Sequence, residues 1–509
     1  MRCESSPEMR GPKVRALGCG SAATAFADET TTDRRNMPGL KTRRQRCRSP
    51  RRAPSARGQT ASLKKSIGRS VLTSLLVVQA SVLGYGQFGA DQPLEGAATS
   101  HRVVVVRAGR LFDGKSDKLS NDQVIVIQGS RIADVGPADR VKPPAGADIL
   151  DLSRSTVLPG LIDAHTHLFL TGESHGRYEE QLLKESWQYR TIEAVVNARK
   201  DLEAGFTTLR DLETEGAMYS DVDVRNAINR GLIPGPRLQV VTRALSTTGG
   251  YPLEGYSPEV PVPSGAQIVD SPEAARQAVR EQIKYGADLI KIYGTHRFRF
   301  TADGKLAAIP TFTLEETKAI VDEAHRQGVK VACHAYGGEG LHNCVDAGVD
   351  SIEHGLQLDD AAIAGMIEKG IYLVPTLYVY EFEPEEDLAA TGGKTSRARI
   401  HEASFRMAAA RGVKIAFGTD AGPFPHGTQA KEFEFMVRFG MSPAQALWSA
   451  TSVAAELMGW QDRVGSVEKG KFADLIAVTG DPLVPSGIAE LERVKFVMKG
   501  GEVVKNEVK

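Results

Sequence analysis

His165 and His167 stand two residues apart in the apolar run Leu161-Ile-Asp-Ala-His-Thr-His-Leu168. In a strand, residues i and i+2 project from one face, so the two imidazoles are preset to grip a single metal ion. A His-x-His pair alone fits two ordinary polar residues equally well. Its company changes that: Lys291, His334, His354 and Asp420 each lie within or at the end of a separate apolar, strand-like run. Lys291, flanked by Ile290 and Ile292, is the oddest of them. A charged ammonium is expensive to bury, so this lysine must be deprotonated, paired or chemically modified. Asp420, ahead of Ala-Gly, has a plainer reading as a turn or helix N-cap residue.

The elements that must position these side chains alternate along the middle of the chain. Strand-like runs fall at 161–168, 207–212, 237–244, 289–293, 329–334, 351–354, 371–377 and 413–420. Helical stretches lie between them at 191–204, 271–285, 313–327, 339–347 and 360–368, several followed by Gly (Gly205, Gly286, Gly328, Gly348, Gly412) as helix C-caps. Eight βα units predict an α/β fold, a (β/α)8 TIM barrel over residues 159–464, with chemistry at the strands' C-terminal ends. A doubly wound sheet is the other architecture with this alternation, but no Gly-x-Gly-x-x-Gly turn supports it. Short strands separated by Asp113-Gly114 and Gly129-Ser130 fill residues 101–158, and the same texture returns over 465–509. Each piece alone would bury too little, so the two ends are expected to build one small β-sandwich.

The formal net charge of zero hides an asymmetry. Residues 1–86 hold 17 Lys/Arg and 5 Asp/Glu, leaving 46 basic and 58 acidic residues in the body. An acidic body argues against nucleic acid as a partner. Residues 1–62 read as a basic leader without apolar periodicity, or as a start placed too early; Met37 is one internal alternative. Residues 63–86 read as a signal peptide: Lys64, Lys65 and Arg69, an apolar stretch over 70–83 too short to span a membrane, then Gly84 and Gly86. Export, periplasmic or secreted, is the expectation, with no other membrane role. Cys3, Cys19 and Cys47 fall in the leader, while Cys333 on a strand and Cys344 on a helix are expected to be buried free thiols.

Several of these runs carry a resemblance. Leu158-Pro-Gly-Leu-Ile-Asp-Ala-His-Thr-His167, Leu289-Ile-Lys-Ile292, His334-Ala-Tyr336 and Ser351-Ile-Glu-His-Gly355 resemble motifs of the amidohydrolase superfamily. So do Gly418-Thr-Asp-Ala-Gly422 and Gly465-Ser-Val-Glu-Lys-Gly-Lys-Phe-Ala-Asp-Leu475. The similarity spans residues 101–504 in order and spacing, and points to the imidazolonepropionase-like branch with its Xaa-Pro dipeptidases and ochratoxin-hydrolysing amidases. It implies two divalent metal ions, zinc by the ligand chemistry, held by His165 and His167 and by His334 and His354. It further implies that Lys291, carboxylated by CO2, bridges both ions, and that Asp420 binds one. A bridging hydroxide would attack an amide carbonyl, with Asp420 as general base and then acid. Tyr336 would hydrogen-bond the developing oxyanion or a substrate carboxylate, or else simply pack at the rim.

The chain departs from its relatives around the mouth. Gly249-Gly250-Tyr251 replaces a common Gly-Gly-His, and Tyr293-Gly-Thr-His-Arg-Phe-Arg299 replaces a Gly-Gly pair. Tyr251, Tyr293, Arg297, Arg299 and His426 are therefore the candidate substrate contacts, the two arginines as anchors for a carboxylate. The substrate is expected to be a small amide or peptide, either a dipeptide or an N-acyl amino acid. A mononuclear cyclic-amide hydrolase or deaminase would lack the strand lysine, and a non-catalytic barrel would have lost ligands. Homo-oligomers are common among such barrels.

Overall fold

In the computed structural model the described residues are 102–171, 177–381 and 385–508. The leader, the signal peptide at 63–86 and Met37 lie outside them. Among the described residues no helix is long and apolar enough to cross a membrane.

Parallel strands form the centre. Leu161–Thr166 pairs with Phe206–Asp211, which pairs with Arg237–Val240. A second parallel run joins Leu245–Ser246, Leu289–Tyr293, Lys330–Gly337, Ser351–Gln357 and Tyr372–Val374. Most of these strands are buried at every position, which is why they read as continuous apolar runs rather than alternating ones. The third predicted strand, 237–244, breaks where Thr242 takes φ +67, leaving Leu245–Ser246 as a separate piece. The two runs approach at one side, where Asp288 N–H donates to Val240 O at 2.8 Å. On the other side the segment 413–421 lies between them. It bridges Leu373 through Ile415 and Thr166 through Ala421, and its Phe417 carbonyl accepts from Ala164 N–H at 2.9 Å. That segment carries isolated bridges in place of the continuous strand expected from its sequence.

Helices follow the strands: Trp187–Glu203, Ser220–Asn229, Pro272–Lys284, Leu314–Arg326, Gly338–Ala347, Asp360–Lys369 and Arg397–Ala410. Ser186, Ser271, Thr313, Asp359 and Ser396 cap five of their N-termini, each side chain accepting a backbone N–H. The molecule is thus α/β.

The two ends of the described chain meet edge to edge. One sheet runs in the order Glu502–Asn506, Phe496–Lys499, Leu475–Val478, Asp148–Pro159, Val103–Leu111, Ser120–Gln128, Arg131–Pro137. Its buried face joins Val104, Val106, Ile125 and Ile127 from the first end to Leu475, Ala477, Phe496 and Met498 from the last. The pairing joins both ends in one seven-stranded sheet. The strand Asp148–Pro159 leads directly into Leu161–Thr166, so this sheet anchors the start of the histidine strand.

One expectation fails outright. Cys333 and Cys344 are joined in a disulfide, with Cα atoms 6.5 Å apart, rather than standing as free thiols. The reason is the direct passage from strand to helix at Gly337-Gly338, which folds the helix's second turn back over the strand. Gly294 gives the bridge room, since a Cβ there would lie 2.6 and 2.7 Å from the two sulfurs.

Candidate metal centre

Asp163, two residues before His165, braces the histidine strand from within. Its Oδ1 accepts His165 N–H and Thr419 N–H, both at 3.1 Å, and its Oδ2 takes the Thr419 hydroxyl at 2.6 Å. Thr419 precedes Asp420, so this one buried carboxylate holds both ligand-bearing segments in register. Glycine is required beside it: a Cβ on Gly418 would meet His165 Cβ at 2.9 Å, and one on Gly422 would meet His167 Cβ at the same distance. The close approach brings Asp420 Oδ1 to 3.4 Å from His165 Nε2 and 3.1 Å from His167 Nε2.

The remaining histidines continue the cluster. Ring centroids of His165 and His354 lie 4.9 Å apart, and those of His354 and His334 lie 4.3 Å apart. His354 and Asp420 both occupy the left-handed region, φ +69 and +62, as does Thr376 at +53. Such backbone is costly for non-glycine residues and persists only where the surroundings dictate it. Lys291 is 1% exposed on its strand. Burial lowers its ammonium pKa, against the pull of Glu353, Asp420 and Glu213. Burial also depresses His165, and carries His334 and His354 well below the usual imidazole value. Asp420 stays well below the ordinary carboxylate range, because the adjacent His165 and His167 imidazoles outweigh its burial.

His165 Nε2, His167 Nδ1 and His334 Nε2 are buried with no hydrogen-bond partner. Ligand atoms of His165, His354 and Asp420 all lie within 4.8 Å of one another. Buried nitrogens without partners are rare in folded proteins. Neutral imidazoles and a carboxylate pointed at one another, with their lone pairs free, fit divalent cations well.

The comparisons agree with that chemistry. Residues 156–504 match the Amidohydrolase family. The chain belongs to it. An ochratoxinase of Aspergillus niger is 33% identical over 449 residues, covering 81% of this chain and 89% of that protein. The crystal structure of a Xaa-Pro dipeptidase with bound methionine in the active site is 38% identical, with a TM-score of 0.71, over 79% of this chain and all of that one. An imidazolonepropionase of Symbiobacterium thermophilum is 26% identical over 70% of this chain and 83% of its own length. This amidohydrolase is accordingly a hydrolase acting on carbon–nitrogen bonds.

Around the mouth of the amidohydrolase the expectations fare unevenly. Tyr336 is buried, its ring 4.7 Å from His334 and 6.1 Å from His354. Tyr293 stacks on Tyr251 at 4.4 Å and lies 5.0 Å from His334. Their hydroxyls donate to Glu213 at 2.5 Å and Glu215 at 2.9 Å. Arg297 and Arg299 are misplaced as anchors. They sit on the strand Thr295–Phe300 of a hairpin, where alternate residues face opposite sides. His296 and Phe298 take the inward side, 5.5 Å from His334 and 5.8 Å from Tyr336. Both arginines are exposed, and Arg297 lies 3.5 Å from Glu254. His426 is no rim contact either: it is buried, with Nδ1 2.9 Å from Asp201 and Nε2 3.2 Å from the Leu170 carbonyl.

Sequence reasoning missed Glu353, Arg210, Thr376 and His296. Glu353 stood inside the quoted motif Ser-Ile-Glu-His-Gly, and a carboxylate in an apolar strand is itself a signal that a buried partner exists. Arg210 in Thr-Thr-Leu-Arg-Asp is the complementary oddity. For His296 the signal was strand alternation, which sets it on the face opposite Arg297 and Arg299.

Proposed function

We propose that this enzyme hydrolyses the amide or peptide bond of a dipeptide or N-acyl amino acid, using two divalent ions, zinc by ligand chemistry. His165 and His167 would hold one ion, His334 and His354 the other, with Asp420 on one of them and carboxylated Lys291 between the two. The parallel runs are read as a closed (β/α)8 barrel whose C-terminal strand ends form the site. The single observation that carries this reading is the cluster of buried imidazoles around Asp420, whose Oδ1 lies 3.4 Å from the partnerless His165 Nε2 and 3.1 Å from His167 Nε2. Lys291 adds weight. Only a neutral amine reacts with CO2, giving a carbamate and releasing a proton, and burial favours the neutral amine here.

Bound ions would supply Lewis acidity toward the scissile carbonyl and acidify an attacking water. Asp420 takes the proton from that water and delivers it to the leaving amine. Tyr336, beside His334, donates its hydroxyl hydrogen to the carbonyl oxygen as charge builds on it. Thr419 and Asp163 keep Asp420 aimed, and the stacked Tyr251 and Tyr293 form an apolar wall that limits water. The signal peptide at 63–86 would export the protein before it acts.

The test is metal analysis of the purified protein together with assays on dipeptides and N-acyl amino acids. Two ions per chain and release of a free amino acid are expected. One ion with activity confined to lactams or aminated rings would replace this reading with a mononuclear cyclic-amide hydrolase or deaminase.

A further inference from the structure

The imidazoles of the centre are not backed alike. His165 Nδ1 lies 2.8 Å from Glu353 Oε2, while Glu353 Oε1 accepts Arg210 Nη2 at 2.8 Å and the Ser351 hydroxyl. Arg210 spends its other donors on the Ala164 carbonyl and Ser351 Oγ. Glu353 and Ser351 are fully buried and Arg210 is 1% exposed. His354 Nδ1 meets only the neutral hydroxyl of Thr376, at 2.8 Å.

We propose that Glu353, clamped by Arg210 and Ser351, is a positioning residue that makes the His165 end of the centre the tighter metal site, so that two ions load in order with the His165–His167 end first. The inference rests on the two-ion reading above. Three physical consequences support it. A carboxylate paired with Arg210 is acceptor-only, so His165 must donate from Nδ1 and leave its Nε2 lone pair free toward the site. That Nε2 is one of the nitrogens without a partner. Both Glu353 oxygens are engaged, so neither the carboxylate nor the ring it holds can turn. An anionic partner also raises the basicity of the ligand nitrogen, which a hydroxyl does far less.

Glutamine cannot replace this group. It has one accepting oxygen where two are used. With its amide nitrogen toward Arg210, donor faces donor; with it toward His165, Nδ1 must accept and the proton moves to Nε2, where an ion would sit.

The experiment titrates metal-stripped full-length protein with zinc against a competing chromophoric chelator. Expected are two steps of unequal affinity. Glu353→Gln should weaken the tighter step by about 10–100-fold and leave the other within about twofold, whereas Thr376→Val should weaken only the looser step. Equal steps, or a Glu353→Gln variant that weakens both or neither, would overturn the proposal while leaving the two-ion reading intact. A single ion per chain would instead overturn that reading and the loading order with it. Should Glu353→Gln fail to fold, nitrogen NMR of histidine-labelled, metal-free wild type still decides. Protonation of His165 at Nδ1 is the expected result, and protonation at Nε2 contradicts the mechanism.

Discussion

The floor of the site and its rim obey different rules. On the floor, the proposed ligands come from buried strands and the segment beside them, and several are braced by a second buried group: Asp163 for the His165 and Thr419 backbones, Glu353 for His165, Thr376 for His354. At the rim, side chains come from a hairpin and loops, where a shift of one residue reverses which face meets the pocket. The six proposed ligands were named from sequence, whereas three of the five rim candidates face away from the pocket or are tied up elsewhere. Strand topology aims the floor residues; turn geometry aims those of the rim.

Substitutions can break or sharpen that contrast. The largest effect belongs to Lys291→Ala, which should remove the bridge, release one ion and cost about 10²–10⁴ in kcat, with partial rescue by short-chain carboxylates. Full activity without them would remove the carbamate from the account. Arg210→Met strands Glu353 as an unpaired buried anion and should destabilise the fold by about 3–5 kcal/mol, read by denaturant unfolding. Glu432, which accepts Leu377 and Tyr378 N–H groups beneath the site, gives a pH signature. Burial raises its pKa from 4.5 to about 8. The group is therefore protonated in the fold at pH values where the unfolded chain ionises it. Its contribution is full below 4.5 and lost as pH rises toward about 8. Glu432→Gln should flatten that part of the Tm profile.

Rim changes should be smaller and should separate the two faces of the hairpin. His426→Ala is expected to cost about 1–3 kcal/mol of stability by leaving Asp201 short of a partner, with kcat unchanged. His296→Ala should raise KM by about two- to tenfold through loss of its aromatic contacts. Arg297→Ala and Arg299→Ala should leave KM within about twofold, because their charges are solvated. A large KM effect from either arginine would mean that the hairpin turns over when substrate binds.

What was legible in the sequence follows the same division. Continuous apolar runs ending in His, Lys or Asp marked the strands and their chemical ends, since burial on both faces leaves no other pattern. The joining of the two chain ends was also readable, because neither end could bury a core alone. Periodicity could not say in which order these strands pair, since every order uses the same alternation. Nor could it reveal the Cys333–Cys344 bridge, which depends on a turn of two glycines, or the Arg210–Glu353 pair, whose partners lie 143 residues apart. Such contacts are set by closure of the fold, to which local pattern is blind.

The most direct test of the central claim is a crystal structure of active, zinc-loaded enzyme at a resolution that resolves the end of the Lys291 side chain. The account predicts a carbamate there, one oxygen on each of two ions held by His165 and His167 and by His334 and His354. A bare amine distant from the histidines, in enzyme that still turns over, would contradict it.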